Sequence, residues 1–459
     1  TEAIFNRGIT FSNQGNHEKA IEDFDVAIRI DRNARFILKR ASSYEKLESF
    51  SKALDDYSHI ISSGSLNKDK AMAYCRRGRL QNQMNNLEKG MPDIEMAINL
   101  QPDNSDFYNE FAFGLEKLNR NEEATKRYKH AIELDPENYI AQMNLSRLEL
   151  ASHNYRSGWQ RYESRWKAQG LGLIPLVTKK PKLESFEVKN KKILIWGEQG
   201  LGDYIIYSTI LPDALKTDNE FIVVLDSRLL DLYKASFKDF KNVVFLDSAD
   251  NEDLYDYHLP FASLGQFFRN SKQDFLNQKI PLLEADKAYT KTLRNRINSG
   301  NKHICGISWM SKNPKIGDSK SMRLEDFKSI FSLPGIDFVD LQYGDTKKEK
   351  KELKDNFGFE LIEMTDIDNF NDIGKLASLI NACDFVVTTS NVTAHLAGAL
   401  NKKTYQILSY TEGRLWYWGI NENSSLWYPS IRLLRADNLK DWKTPIKNLV
   451  DSLSQEIKL

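Results

Sequence analysis

At 459 residues the chain is too long for one compact domain, and at about 150 residues per domain its length suggests roughly three. Hydrophobic residues make up 41% and charged ones 28%, and the 24 Phe, 19 Tyr and 8 Trp can fill packed cores, which excludes global disorder. Lys+Arg and Asp+Glu both total 64, so the formal net charge is zero; this excludes a nucleic-acid binder working by bulk charge and leaves only a local basic cleft open.

The first third repeats itself. Ala20 and Phe24 are followed by Ala53 and Tyr57, Gly90 and Ile94, Ala124 and Tyr128, then Gly158 and Tyr162, with the larger residues 33, 37, 34 and 34 positions apart. Twelve positions before each small residue stands another, at Gly8, Ala41, Gly78, Ala112 and Ser146, while Pro102 and Pro136 close two units where a helix must stop. This pattern resembles the tetratricopeptide repeat over residues 1 to about 166: helical hairpins whose small residues permit close approach and whose apolar faces are covered by their neighbours. Such an array offers a concave face to an extended polypeptide, so the implied partner is a protein or peptide. Arg7, Arg40 and Arg77 share one place in the first helix of units one to three, and Asp23, Asp56 and Asp93 share one in the second. Units four and five lose both together, to Phe111 with Arg127 and Leu145 with Arg161. The joint loss favours an Arg–Asp bridge across each of the first three hairpins over an arginine ladder for an acidic peptide.

From Lys191 short apolar runs alternate with helical stretches. Runs at 192–196, 221–225 and 243–246 form one series, and runs at 303–309, 336–341, 359–362, 384–388 and 404–408 a second. Strands buried on both faces and separated by helices indicate parallel sheets, here two in tandem with a cleft outside their strand C-termini. The polar, helical segment from Glu284 to Asn301 suits a hinge between the halves, and the last helix, Thr444 to about Ile457, is expected to cross back and brace the first half. The fold class is thus an α-solenoid followed by two Rossmann-like parallel-sheet halves, with domains at 1–168, 169–290 and 291–459.

Cys75, Cys305 and Cys383 are odd in number, far apart and without a CxxC pair, which suits reduced core thiols of a cytosolic protein. No apolar stretch approaches the ~20 residues needed to span a bilayer, and no signal peptide is visible, so the expected location is the cytoplasm. The chain starts at Thr1 without a Met, which leaves a removed leader open.

Three elements could carry chemistry. In Gly197-Glu-Gln-Gly-Leu-Gly-Asp203, glycines between a strand and a helix allow close approach to the backbone, and Asp203 places a carboxylate at a strand end, either facing the cleft or capping a helix from Tyr204. The run departs from the dinucleotide fingerprint and is not a Walker loop. In Ser308-Trp-Met-Ser-Lys-Asn-Pro314, continuing through Lys315, Lys320 and Arg323, four cations after a strand suit a ligand carrying phosphates. In Thr388-Thr-Ser-Asn-Val-Thr-Ala-His395, hydroxyls and an Asn can cap a helix whose first turn points into the cleft, while His395 suits either the site or a packed core.

Together these elements resemble the heptosyltransferase-like glycosyltransferases of the GT-B fold, and more closely bacterial tetratricopeptide proteins with such a domain at their C-terminus. The matching text is Trp196-Gly-Glu-Gln-Gly-Leu-Gly-Asp203, Leu341-Gln-Tyr-Gly-Asp345, Thr393-Ala-His-Leu-Ala-Gly-Ala-Leu400 and Trp427-Tyr-Pro429, with Gly158-Trp-Gln-Arg-Tyr-Glu-Ser-Arg-Trp166 at the end of the repeats. The resemblance implies an inverting, metal-independent transfer from a nucleotide-sugar donor to a protein acceptor, on a Ser or Thr hydroxyl, with no cofactor and no metal site. It implies Asp203 as general base and Lys320 as the lysine steadying the diphosphate, with Ser308, Ser311 and Lys312 beside it. Asp345 falls where an acidic residue holds the ribose or base, and Ser390, Asn391, Val392, Thr393 and His395 fall on the donor-phosphate helix. Glu198, Gln199, Gly200 and Gly202 form the acceptor-side loop. Ser390 stands where the family commonly has Asp, which leaves the choice of sugar or nucleotide open and favours a more anionic donor. Transfer to a lipid or polysaccharide, and a non-catalytic scaffold with a degenerate transferase half, are the competing expectations.

Overall fold

The computed structural model describes residues 1–168, 170–297, 300–410, 415–438 and 441–456. Its chain divides into two compact units. One comprises Thr1–Leu145 and a short piece from Lys167; the other comprises Ser146–Trp166 and the chain from Gly170 onward, so the division falls inside the helix Tyr139–Ala151.

The first unit is built of helical hairpins: Glu2–Asn13 with His17–Ile30, Ala34–Lys46 with Phe50–Ser62, Asn67–Gln83 with Leu87–Leu100, and Ser105–Lys117 with Asn121–Leu134. Each recurring small residue lies where two helices of a hairpin meet. At Gly78 a Cβ would stand 2.6 Å from the Gly90 carbonyl and 2.7 Å from the Ile94 side chain, closer than packed atoms allow. Phe24, Tyr57, Ile94 and Tyr128 are fully buried, as expected of the larger repeated position.

The expected bridges are present. Arg7 grips Asp23 through two bonds of 2.8 and 2.6 Å, Arg40 grips Asp56 at 3.0 and 2.6 Å, and Arg77 grips Asp93 at 2.7 and 2.8 Å. Such bidentate forks fix both partners in one plane. In unit four the substituted pair meets differently, with the Arg127 guanidinium 5.6 Å from the centroid of the Phe111 ring.

The second unit holds two parallel sheets. Strands β1 (Lys192–Trp196), β2 (Glu220–Val224), β3 (Val243–Leu246) and β4 (Tyr257–Pro260) lie in the order β3-β2-β1-β4. Strands β5 (His303–Ser308), β6 (Ile336–Asp340), β7 (Phe385–Thr388), β8 (Thr404–Leu408) and β9 (Ile431–Arg435) lie in the order β6-β5-β7-β8-β9. The central strands β1, β5 and β7 are apolar along their middles and buried there, as expected of strands in the interior of a parallel sheet.

The structure departs from the sequence reading in three places. The run 359–362 forms only a bridge between Ile362 and Val339, whereas β4 and β9 were not foreseen. Both are edge strands, whose half-exposed residues leave no continuous apolar run. The last helix, Lys443–Glu456, does not brace the first sheet; Ile446, Leu449 and Leu453 pack into the core of the second, with Phe331 and Leu434. The polar segment before β5 is helical, as read from the sequence: its helix Lys287–Ile297 packs on the helix Ile373–Ala382. All three cysteines are buried and unbridged, and burial pushes each thiol above its ordinary value. Among the described residues no helix is long and apolar enough to cross a membrane.

Candidate functional site

β1 ends at Trp196 and the chain turns through Gly197–Gly200 into the helix Leu201–Tyr207. The helix starts three residues earlier than expected. Gly200 is its N-cap and Asp203 the third helical residue, so Asp203 does not cap a helix from Tyr204. At this third helical position the backbone amides of the first turn, Gly200 first, favour the charged form of Asp203. Asp203 keeps some solvent contact, yet protein surrounds it densely. Lost hydration, then the nearby Glu198 carboxylate, raise its pKa to about 7, although Lys320 and the amide bonds pull the other way.

Lys320 belongs to the loop after β5. That loop is closed on itself: the Met322 amide donates to the Trp309 carbonyl at 2.9 Å, and the Ser311 amide to the Ser321 hydroxyl at 2.8 Å. Lys320 is 7% exposed, and among the described residues its ammonium has no hydrogen bond or ion pair. Burial lowers its pKa, and Asp203 is the charge that opposes this. The other cations of the run differ. Arg323 is held by Glu325 and Asp326, Lys312 is exposed with its stem against Gly344, and the exposed Lys315 reaches the Leu171 carbonyl at 3.5 Å. The Ser311 hydroxyl accepts the Asn313 amide at 3.4 Å within the loop.

Three expected residues meet at the end of β5. The Ser308 hydroxyl lies 2.9 Å from Asn391 Nδ2 and 3.3 Å from Thr393 Oγ1. Asn391 caps the helix Val392–Ala399, its Oδ1 accepting the Ala394 amide at 3.2 Å. The amides of Val392 and Thr393 then have no acceptor within the helix, the ordinary condition of a first turn and an attractive one for an anion. Gln342 organises this corner and was not singled out from the sequence. Its Oε1 accepts from the Ser308 hydroxyl at 3.0 Å and from the Trp309 and Met310 amides at 2.8 and 2.9 Å. Its position just past β6, inside the quoted Leu341–Asp345 run, was the available signal.

His395 faces inward from the same helix. Its Nδ1 and Nε2 each lie 3.3 Å from a tyrosine hydroxyl, of Tyr428 and Tyr417, and its ring stacks on Trp418 with centroids 5.1 Å apart. Burial first, and Lys320 second, depress its pKa to about 3, so the imidazole is neutral at pH 7. Its ring also touches the other half: a Cβ on Gly202 would lie 2.8 Å from His395 Cδ2. Ser390, 2% exposed, accepts the Trp418 indole N–H at 3.0 Å.

Asp345 stands apart from these groups. It is exposed and its Oδ1 accepts the Lys347 amide at 3.2 Å. The adjoining cavity, of about 210 Å³, is lined by Asp340, Gln342, Lys350, Glu363, Asn369 and Phe370 among others, with Lys350 bound to Asp340 at 2.8 Å and to Glu363 at 2.6 Å. On the acceptor side, Glu198 is buried and Gln199 Nε2 lies 3.4 Å from the Tyr162 hydroxyl. Among the described residues no three His, Cys, Asp or Glu side chains form a cluster suited to a metal ion.

A tetratricopeptide repeat model matches residues 1–33 and 71–104. The N-terminal helical region therefore carries tetratricopeptide repeats, and the C-terminal region two parallel sheets. It is similar to Protein FlbA of Caulobacter vibrioides, 26% identical over 394 residues, which cover 78% of this chain and 63% of that one; it thus matches less than two thirds of FlbA's length. A small glutamine-rich tetratricopeptide repeat-containing protein of Dictyostelium discoideum is 30% identical over 107 residues, 23% of this chain and 31% of its own. Among solved structures, a thermophilic tetratricopeptide protein of Thermus thermophilus is 15% identical with a TM-score of 0.32, covering 37% of this chain and 92% of its own.

Proposed function

We propose that the second unit is an inverting, metal-independent glycosyltransferase of the GT-B kind, moving a sugar from a nucleotide-sugar donor to a hydroxyl, on Ser or Thr, of a polypeptide held by the repeats. The observation that carries this reading is the pairing of Asp203 with Lys320. Two oppositely shifted groups in densely packed surroundings, from helix and loop beyond the C-terminal ends of β1 and β5, influence one another, and among the described residues neither is consumed by an ion pair. Structural charges are normally paired; groups left poised in this way mark chemistry.

The reaction would run as follows. With a pKa near 7, Asp203 takes the proton of the acceptor hydroxyl, whose oxygen attacks the anomeric carbon from the face opposite the donor's phosphate. The carbon–oxygen bond to the diphosphate breaks, and its electrons leave with the nucleoside diphosphate. Lys320 and the first-turn amides of Val392 and Thr393 receive the developing negative charge, the work that a cation would otherwise do. The cavity beside Asp340 and Lys350 has room and polar edges for the nucleoside, with Phe370 as an aromatic wall. Asp345 lies outside that lining, so Asp340 is the better candidate for the ribose.

The experiment is a thermal-shift panel with UDP, GDP, ADP, CMP and their sugar conjugates, followed by transfer assays with the stabilising donor. A ligand at 100 times its Kd should add about 2.7 kcal/mol of stability. Stabilisation by one nucleotide, with transfer lost in Asp203→Asn, is expected; stabilisation without any transfer would favour the non-catalytic scaffold.

A further inference from the structure

Arg165 is the most heavily engaged charge of the second unit. Its side chain is 0% exposed. Nε and Nη2 donate to the two oxygens of Glu198 at 2.7 and 3.0 Å, Nη1 to the Tyr162 carbonyl at 3.0 Å and to Glu163 at 2.8 Å, and Nη2 also to the Ser263 hydroxyl at 2.9 Å. Glu198 is 1% exposed, and one of its oxygens also accepts the Ala262 amide at 3.3 Å. Glu163 is held in turn by Ser263 and Lys182. This network joins the segment Glu163–Trp166 to the turn that carries Asp203 and to the short helix after β4.

The Gly197–Asp203 turn contains three glycines and supplies little stiffness of its own. Its middle is fastened where Glu198 enters the Arg165 fork. A guanidinium suits this task, since it stays charged in the interior and its planar donors match a carboxylate. We propose that Arg165 is a positioning residue for Asp203: by gripping Glu198 it fixes the glycine turn against the first sheet and keeps a buried negative charge beside the Asp203 carboxylate. The tail of the repeat region is then part of the framework of the site rather than a tether. The proposal rests on the transferase reading, because it assigns Arg165 to the base of that reaction.

Among the described residues, several groups from different elements act electrostatically on Asp203. Glu198 comes from its own turn, Tyr207 from its own helix, Lys320 from the loop after β5, and Tyr417 and Tyr428 from the segment after β8. Burial raises all three tyrosines well above neutrality, and His395, against Gly202, is neutral. Among the described residues Glu198 and Lys320 are therefore the charges that act on Asp203's protonation.

The test uses the full chain without donor. Asp203's titration is read as the pH at which the rise in Tm caused by Asp203→Asn levels off, first in the wild type and then with Glu198→Gln also present. With Glu198→Gln the plateau should move down by roughly one pH unit and the rise in Tm should shrink. Arg165→Met alone should lower Tm sharply, and adding Glu198→Gln should restore part of the loss by removing an uncompensated buried carboxylate. An unmoved plateau, or a double variant no more stable than Arg165→Met, overturns the proposal. Failure of the transferase reading would show separately, as a wild type that binds no nucleotide while these titrations still shift.

Discussion

The bridged arginines of the repeat array and the poised Asp203 and Lys320 of the two-sheet unit hold charge in opposite ways. In the repeat array Arg7, Arg40 and Arg77 each meet an aspartate in a two-point fork, and in unit four, where Phe111 and Arg127 replace the pair, the guanidinium lies over the ring. In the two-sheet unit Arg165 is equally well paired, but Lys320 is buried with no ion pair among the described residues, and Asp203 holds a carboxylate in surroundings that favour its neutral form. Paired charge builds architecture. Charge left poised costs stability and is kept for another reason.

The largest expected effect tests the poised side. Asp203→Asn should leave nucleotide binding intact and cut transfer by about 10²-fold or more, measured as kcat with saturating donor. The same variant should raise Tm. The folded carboxyl keeps its proton to about pH 7, while the unfolded one loses it near 3.8. Folding therefore takes up a proton between these values, and stability falls as pH climbs through them. The gain from Asp203→Asn should be absent near pH 4, grow with pH and level off above about 7, as pH-dependent melting would show.

Next comes the paired side. Asp56→Ala should destabilise the array by about 2–3 kcal/mol, because it strands Arg40 with only its second partner Asp25; urea unfolding of the wild type and variant checks it. Lys320→Met should do the reverse and raise the Tm of the free protein by an amount worth about 1 kcal/mol, since it removes a buried ammonium and preserves volume. A fall in Tm would mean that Lys320 is structural after all. The smallest effect belongs to Asp23→Ala, whose partner Arg7 is 64% exposed: under about 1 kcal/mol by the same unfolding assay.

The array was legible because its information is periodic. Small and large residues recur at fixed spacing, and the covariation of Arg with Asp along the chain exposed the bridges before any contact was known. The central strands were legible as apolar runs, whereas β4 and β9 at the sheet edges carry His258 and Arg432 among their apolar residues and blend into loops. In the site, Ser308, Asn391 and Thr393 announced themselves as hydroxyls and an amide at strand ends. Gln342 did not, since its role depends on three partners more than thirty positions away. The same holds for Arg165 and Glu198, 33 residues apart, and for Trp418 with Ser390, 28 apart. Asp345 was chosen by its motif, and the turn after β6 points it to solvent.

At the centre of this reading Lys320, without an ion pair among the described residues, stands ready to receive a donor's phosphates. Calorimetric titration of nucleoside diphosphates into the wild type and Lys320→Met tests it most directly. At least one should bind the wild type and bind the variant at least ~10-fold more weakly, the loss expected for a buried charge on a phosphate. Equal binding to both proteins, or binding of none to the wild type, would contradict it.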